Sequence, residues 1–173
     1  MINAISHRGP DDRGFFARDG IALGMCRLSI LDLSSAGHQP MTSADGRYTI
    51  VFNGEIYNFR ELRSELVRGG VTFRGNSDTE AIVEGFARWG REVIGRLRGM
   101  WALAVLDRER RELFLARDPF GIKPLYLYDD GHALAFASEI KGLLAHPAVT
   151  RALDANAVHD ILLLGYPLAP RTI

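Results

Sequence analysis

Met100-Trp101-Ala102-Leu103-Ala104-Val105-Leu106 is apolar at every position and does not alternate. A strand with one wet face alternates with a period of two, so an unbroken apolar run predicts a strand covered on both sides. The flanking segments supply the covers. Upstream, Ile21 to Leu33 and Arg47 to Phe52 are rich in Ile, Leu, Val, Tyr and Phe, and read as strands separated by a loop holding Gly37, Pro40 and Gly46. Downstream, Glu112 to Ala116, Leu125 to Tyr128 and His132 to Ala137 read as strands of hairpins, turning at Arg108 to Arg111 and at Asp129-Asp130-Gly131. Two helices lie in between. Asn58 with Glu61, and Ser77 with Glu80, have the spacing of a capping box, ahead of the stripes Phe59, Leu62, Leu66 and Ile82, Phe86, Trp89. A last helix is predicted over Ala155 to Leu164, before Gly165-Tyr166-Pro167. The sum is an α+β fold in which two stacked sheets are flanked by helices, a four-layer αββα sandwich filling one domain, 1–173.

The bulk properties narrow the function. A chain of 173 residues buries roughly two-thirds of its unfolded surface around a single core. Lys plus Arg and Asp plus Glu both number 21 and form no long like-charge run, so no nucleic-acid partner is expected. The longest apolar stretch falls far short of the ~20 residues of a membrane helix, and the N-terminus lacks a basic-then-apolar signal, so no membrane partner is expected either. The single cysteine, Cys26, excludes an internal disulfide and fits a reducing compartment, the cytoplasm by expectation. His7, Asp11 and Asp12 lack metal-ligand spacing, and no metal site is predicted.

Three places carry residue types suited to chemistry. In Val51-Phe52-Asn53-Gly54-Glu55, an apolar strand ends in an amide followed by glycine, which offers two adjacent donors to an oxyanion: the Asn53 side chain and the Gly54 N–H. The missing Cβ of Gly54 would let a substrate come close. Arg27, in Arg27-Leu28-Ser29-Ile30-Leu31, could grip a carboxylate by two parallel hydrogen bonds. Asp78, at a helix start, could accept from an ammonium group. Together they describe a pocket for a free α-amino acid. Each also has a plain reading, as a surface strand residue, a turn and a first-turn acid favoured by the helix dipole.

The order of motifs goes further. His7-Arg8-Gly9-Pro10-Asp11, Arg27-Leu28-Ser29-Ile30, Phe52-Asn53-Gly54-Glu55-Ile56-Tyr57-Asn58, Ser77-Asp78-Thr79-Glu80, Arg117-Asp118-Pro119-Phe120-Gly121-Ile122-Lys123-Pro124 and Ala137-Ser138-Glu139-Ile140-Lys141 follow one another in register. This series resembles the glutaminase domain, a class II glutamine amidotransferase, of glutamine-hydrolysing asparagine synthetase. The resemblance implies an N-terminal-nucleophile hydrolase fold with L-glutamine as partner. It implies that Arg27 binds the glutamine carboxylate, that backbone from Leu28 through Ser29 and Ile30 to Leu31 lines the pocket, and that Glu55 and Asp78 hold the α-amine. Asn53 and Gly54 would form the oxyanion hole. An N-terminal cysteine would attack the side-chain amide with its own α-amine as base, and the released ammonia would reach an aspartyl adenylate in a synthetase domain. ATP and magnesium belong to that second domain by the same resemblance, and no cofactor is expected in these residues. A homodimer is compatible with the intact protein.

The start of the chain departs from the pattern. Met1-Ile2 stands where the family begins Met-Cys-Gly-Ile, and the His7 motif arrives early. The resemblance thus implies that the nucleophile and the opening strand are missing, through truncation, a misassigned gene start or real loss. The chain as written is expected to be inactive, with unpaired strand edges and a gap beside the core. Cys26 does not replace the nucleophile, because an internal residue has no free α-amine and strand alternation turns it away from Arg27. No Ser-Gly-Gly phosphate loop occurs, so the synthetase domain is absent from these residues. Two other outcomes stay open: a noncatalytic glutamine-binding or partner-binding module, and the amidotransferase domain of a relative that makes a different amide.

Overall fold

In the computed structural model, which describes residues 1–172, the chain runs β1 (Asp12–Arg18), β2 (Ile21–Arg27), β3 (Met41–Thr42), β4 (Tyr48–Ile56), α1 (Phe59–Arg68), α2 (Asp78–Trp89), β5 (Gly99–Asp107), β6 (Glu112–Arg117), β7 (Tyr126–Asp129), β8 (Leu134–Ala137), α3 (Ile140–Leu143) and α4 (Ala155–Leu164). A 3-10 segment, Ile2–Arg8, precedes β1. Strands β3-β4-β5-β6 form one antiparallel sheet, while β1-β2 and β7-β8 are separate hairpins.

Strand β5 is covered on both faces, as its apolar run predicts. Trp101, Leu103 and Val105 join Ile50, Phe52 and Ile56 of β4 in a core closed by Leu62, Ile82, Val83 and Phe86 of the two long helices. On the other face, Ala104, Leu106 and Val51 meet Leu23 of β2, with Phe16, Met25, Leu115 and Phe136 at the margin. The fourth layer is thin. The 3-10 segment and α3 lie over the hairpins, where a Cβ at Gly24 would strike Ile2 and one at Gly142 would touch Ile5. The αββα order of layers therefore holds, with the second β layer split into two ribbons. Among the described residues, β2 and β8 each have one paired neighbour, and no helix is long and apolar enough to cross a membrane.

Several element readings need correction. The strand predicted over Ile21 to Leu33 ends at Arg27, because the carbonyls of Leu31 and Asp32 turn back onto the Arg27 guanidinium at 2.8 and 2.7 Å. The segment Asp12–Arg18, unassigned in the sequence, pairs with β2 as β1. Strand β4 does not stop at Phe52 but runs to Ile56, since β5 supplies partners as far as Gly99. The Asn58 capping box does not form: its side chain donates to Arg96 O at 2.9 Å and accepts from Arg98 N at 2.9 Å. At α2 half of the box forms, with Ser77 Oγ accepting from Glu80 N at 3.2 Å. Glu80 turns instead to the N–H groups of Arg74 and Gly75, at 2.7 and 2.9 Å.

The buried Asp118 fixes the loop after β6. Its carboxylate accepts from the N–H groups of Trp101, Phe120, Ile122 and Lys123 at 3.2, 3.1, 2.9 and 3.0 Å. Burial alone would raise this carboxyl, but the donors led by Lys123 and Ile122 outweigh it and hold it below the ordinary aspartate value of 3.8. A carboxyl lowered by folding contributes stability that is present above its unfolded pKa and is lost as pH falls through the folded value. Asp118→Ala should cost about 3 kcal/mol, or roughly 10 °C in melting temperature for a chain of this size, because several buried donors lose their acceptor. A thermal melt of wild type and variant at pH 7 and pH 3 checks this. The gap between them should narrow at pH 3, and a loss under about 1 kcal/mol at pH 7 would contradict the assignment.

Candidate functional site

The antiparallel ladder decides what β4 presents. Trp101 spends both backbone groups on the Asp118 side, accepting from Asp118 N at 2.8 Å and donating to Asp118 Oδ2. Its partner across the sheet, Gly54, therefore belongs to a non-hydrogen-bonded pair, and the Gly54 N–H points to the outer edge of β4. The same alternation sends the N–H groups of Phe52 and Ile56 outward. Phe52 N donates to Gln39 Oε1 at 2.7 Å, and Ile56 N donates to Asp78 Oδ2 at 3.1 Å. Gly54 lies between these two occupied positions.

Asn53 is turned to the face under β2, the side of Val51. Its Nδ2 is buried and has no hydrogen-bond partner. An unpaired buried amide donor costs about 1–3 kcal/mol, so its retention calls for a reason beyond packing. Asn53 and Gly54 thus sit side by side as donors, though inside a strand and not at the strand end or turn read from the sequence. The reason for the glycine also changes. A Cβ there would collide with Met100 O and the backbone of Trp101, so Gly54 is required by the approach of β5.

Around this edge lies a cleft of about 460 Å³, roofed by β2 and bordered by β8. Arg27, Leu28, Ile30, Leu31, Asn53, Gly54, Glu55 and Asp78 all line it. Ser29 does not, because its N–H is drawn outward to Asp11 Oδ2 at 2.8 Å. Arg27 is buried, and its Nη2 holds the carbonyls of Leu31 and Asp32, which leaves the rest of the fork for a ligand. A Cβ at Gly37 would collide with that guanidinium. Asp78, the first residue of α2, is buried and accepts from Ile56 N and Thr79 N. Burial pushes its carboxyl above the usual aspartate range, against those two donors and with some help from the Glu55 charge.

Cys26 also lines the cleft, but on the opposite face of β2 from Arg27, buried under the 3-10 segment, with its thiol donating to Ile2 O at 3.6 Å. Arg8 borders the cleft as well, but it and His7 are held by Glu139. Glu139 meets His7 at 2.9 Å, Lys141 at 3.1 Å and Arg8 at 3.0 Å, contacts that hold its carboxyl down to about 2. Gln39 and Thr79, joined by a 3.1 Å hydrogen bond, line the cleft as well and went unread in the sequence. A polar run at a helix start, Ser77-Asp78-Thr79-Glu80, was the available signal for Thr79. No spacing pattern singles out Gln39.

The model of a family described as a glutamine amidotransferase domain matches residues 1–173. The chain belongs to this family. Glutamine-hydrolysing asparagine synthetase 3 of Bacillus subtilis (strain 168) is 38% identical over 174 residues, covering 99% of this chain and 28% of the relative. Asparagine synthetase 1 of the same organism is 44% identical over 144 residues, covering 83% and 23%. The chain thus spans about a quarter of the length of these relatives. Among solved structures, glutamine phosphoribosylpyrophosphate amidotransferase from B. subtilis, complexed with ADP and GMP, superposes with a TM-score of 0.68 at 23% identity, over 79% of this chain and 37% of that one. The amidotransferase domain here has the same α+β fold as that structure.

The unpaired Asn53 donor gives a stability prediction. Asn53→Ala removes an unsatisfied group, so its melting temperature should equal or exceed that of the wild type. Differential scanning calorimetry checks it, and a fall of more than about 5 °C would show that Asn53 is held by interactions this geometry lacks.

Proposed function

We propose that these residues form the glutamine-binding and oxyanion-stabilising half of a glutaminase site, serving a synthetase domain that makes asparagine. The observation that carries the reading is the pair of adjacent donors, Asn53 Nδ2 without a partner and Gly54 N–H on the open edge of β4, at the wall of a cleft that also holds Arg27, Glu55 and Asp78. The open part of the Arg27 fork takes the ligand carboxylate. The carboxylates of Glu55 and Asp78 take the α-ammonium group, and the side-chain carbonyl oxygen points at the two donors. Negative charge grows on that oxygen when a nucleophile adds to the carbonyl carbon, so these donors bind the transition state more tightly than the ground state. Collapse to a thioester releases ammonia, and water then hydrolyses the thioester to glutamate and the thiol.

The thiol is not Cys26, which borders the cleft but turns away from Arg27 toward Ile2 O and has no free amine beside it. On these 173 residues alone, the site therefore binds glutamine without hydrolysing it. A strand carrying an N-terminal cysteine fits the cleft between the unpaired edges of β2 and β8, where backbone groups await partners. Transfer of ammonia to an acceptor falls to residues outside this chain, in keeping with relatives about four times its length.

Calorimetric titration of the purified chain should give saturable binding of L-glutamine, weakened at least about tenfold by Asp78→Asn. Binding needs Asp78 ionised, and its carboxyl is raised, so affinity should fall as pH drops, beginning above the ordinary aspartate value of 3.8. Absence of binding by soluble, folded protein would overturn the proposal. Ammonia release from L-glutamine should be undetectable and unaffected by alkylation of Cys26. Release that alkylation abolishes would refute the claim that the nucleophile is missing.

A further inference from the structure

Gln39 is buried, 3% exposed, and both ends of its side chain are used. Its Oε1 accepts from Phe52 N at 2.7 Å, and its Nε2 donates to Thr79 Oγ1 at 3.1 Å. The residue therefore spans from the outer edge of β4 to the first turn of α2. At the other side of Gly54, Asp78 makes the matching link, from Ile56 N into the same turn of α2. Two side chains thus tie the strand edge to the helix start, one on each side of the open donor.

We propose that Gln39 is a positioning residue for the oxyanion site, an assignment that rests on the glutaminase reading above. Its first effect is to remove a competitor. The outward N–H groups of Phe52 and Gly54 lie about 6.7 Å apart along the edge, and both face the side from which a ligand carbonyl arrives. With Phe52 already paired to Gln39, the oxygen finds a single backbone donor, at Gly54. Its second effect is to fix the distance between the donor on β4 and Asp78 on α2, and so the span between a ligand's side-chain carbonyl and its ammonium group. Gln39 keeps a second amide N–H, but its oxygen and its first N–H are spent on Phe52 and Thr79, and it positions the site through those two residues. A site whose donors are held in place before the ligand arrives gains affinity by avoiding the entropy of ordering them later.

The test compares two ligands that share the α-ammonium and carboxylate groups. L-glutamine carries the side-chain carbonyl, and L-norvaline lacks it. Titration calorimetry on the purified chain and on Gln39→Met, a substitution of similar volume without hydrogen bonds, should show glutamine weakened by about tenfold and norvaline changed by less than about twofold. Equal weakening of both ligands, or of neither, would overturn the assignment, because a merely structural Gln39 cannot distinguish them. If Gln39→Met does not fold, Thr79→Val breaks only the helix-side bond and should weaken glutamine by about threefold, with norvaline unchanged. A wild-type chain that binds both ligands equally would fail at the earlier step. That result would refute the oxyanion reading itself, and this assignment with it.

Discussion

An antiparallel strand sends alternate N–H groups to opposite sides, and the candidate site depends on how that rule falls on β4. Pairing with β5 takes the odd-numbered residues, up to Asn53 and Glu55, and leaves Phe52, Gly54 and Ile56 facing outward. An exposed strand edge invites unwanted pairing, and here side chains occupy it: Gln39 on one side, Asp78 on the other. What remains is one open donor beside a buried amide with no partner. The protection of the edge and the selection of the donor are the same set of hydrogen bonds.

Packing holds that edge in place. Strand β5 is sealed by helices on one face and by β2 on the other, so β4 cannot shift its register without moving two apolar clusters. Asp118 ends the ladder by gathering Trp101 N into the loop that follows β6, and Arg27 folds the loop after β2 by binding the carbonyls of Leu31 and Asp32. The second β layer is less complete. Its two hairpins stand apart, and the cleft lies between their unpaired edges. Burial of Asp78 and isolation of Asn53 Nδ2 both oppose stability, the usual signature of groups kept for binding.

The layered fold was legible because β5 breaks the alternation that a half-exposed strand must show, and α4 because its bounds, Ala155–Leu164, are set by a glycine in the left-handed conformation at Gly165. The site residues were legible as motifs, and all but Ser29 reach the cleft. What sequence did not carry was direction. Leu28 to Leu33 has strand composition, yet the Arg27 guanidinium competes for its carbonyls and wins. Asn58 has cap spacing, yet Arg96 and Arg98 take its side chain from a distance in sequence that no local pattern reports. Asn53-Gly54 has the composition of a turn, but nine residues of pairing with β5 keep it extended. Gln39 was silent because its partners, Phe52 and Thr79, are brought to it only by the assembled sheet and helix.

Gly54 carries the open donor of β4, the one that a bound glutamine would take. Residue-resolved amide hydrogen exchange, followed by NMR with and without L-glutamine, reads this at one atom, with Phe52 and Ile56 as internal references. Gly54 should exchange faster than both neighbours in the free chain and slow when glutamine saturates the site. A Gly54 amide as protected as those of Phe52 and Ile56 in the free chain, or one that glutamine leaves unchanged, would contradict it.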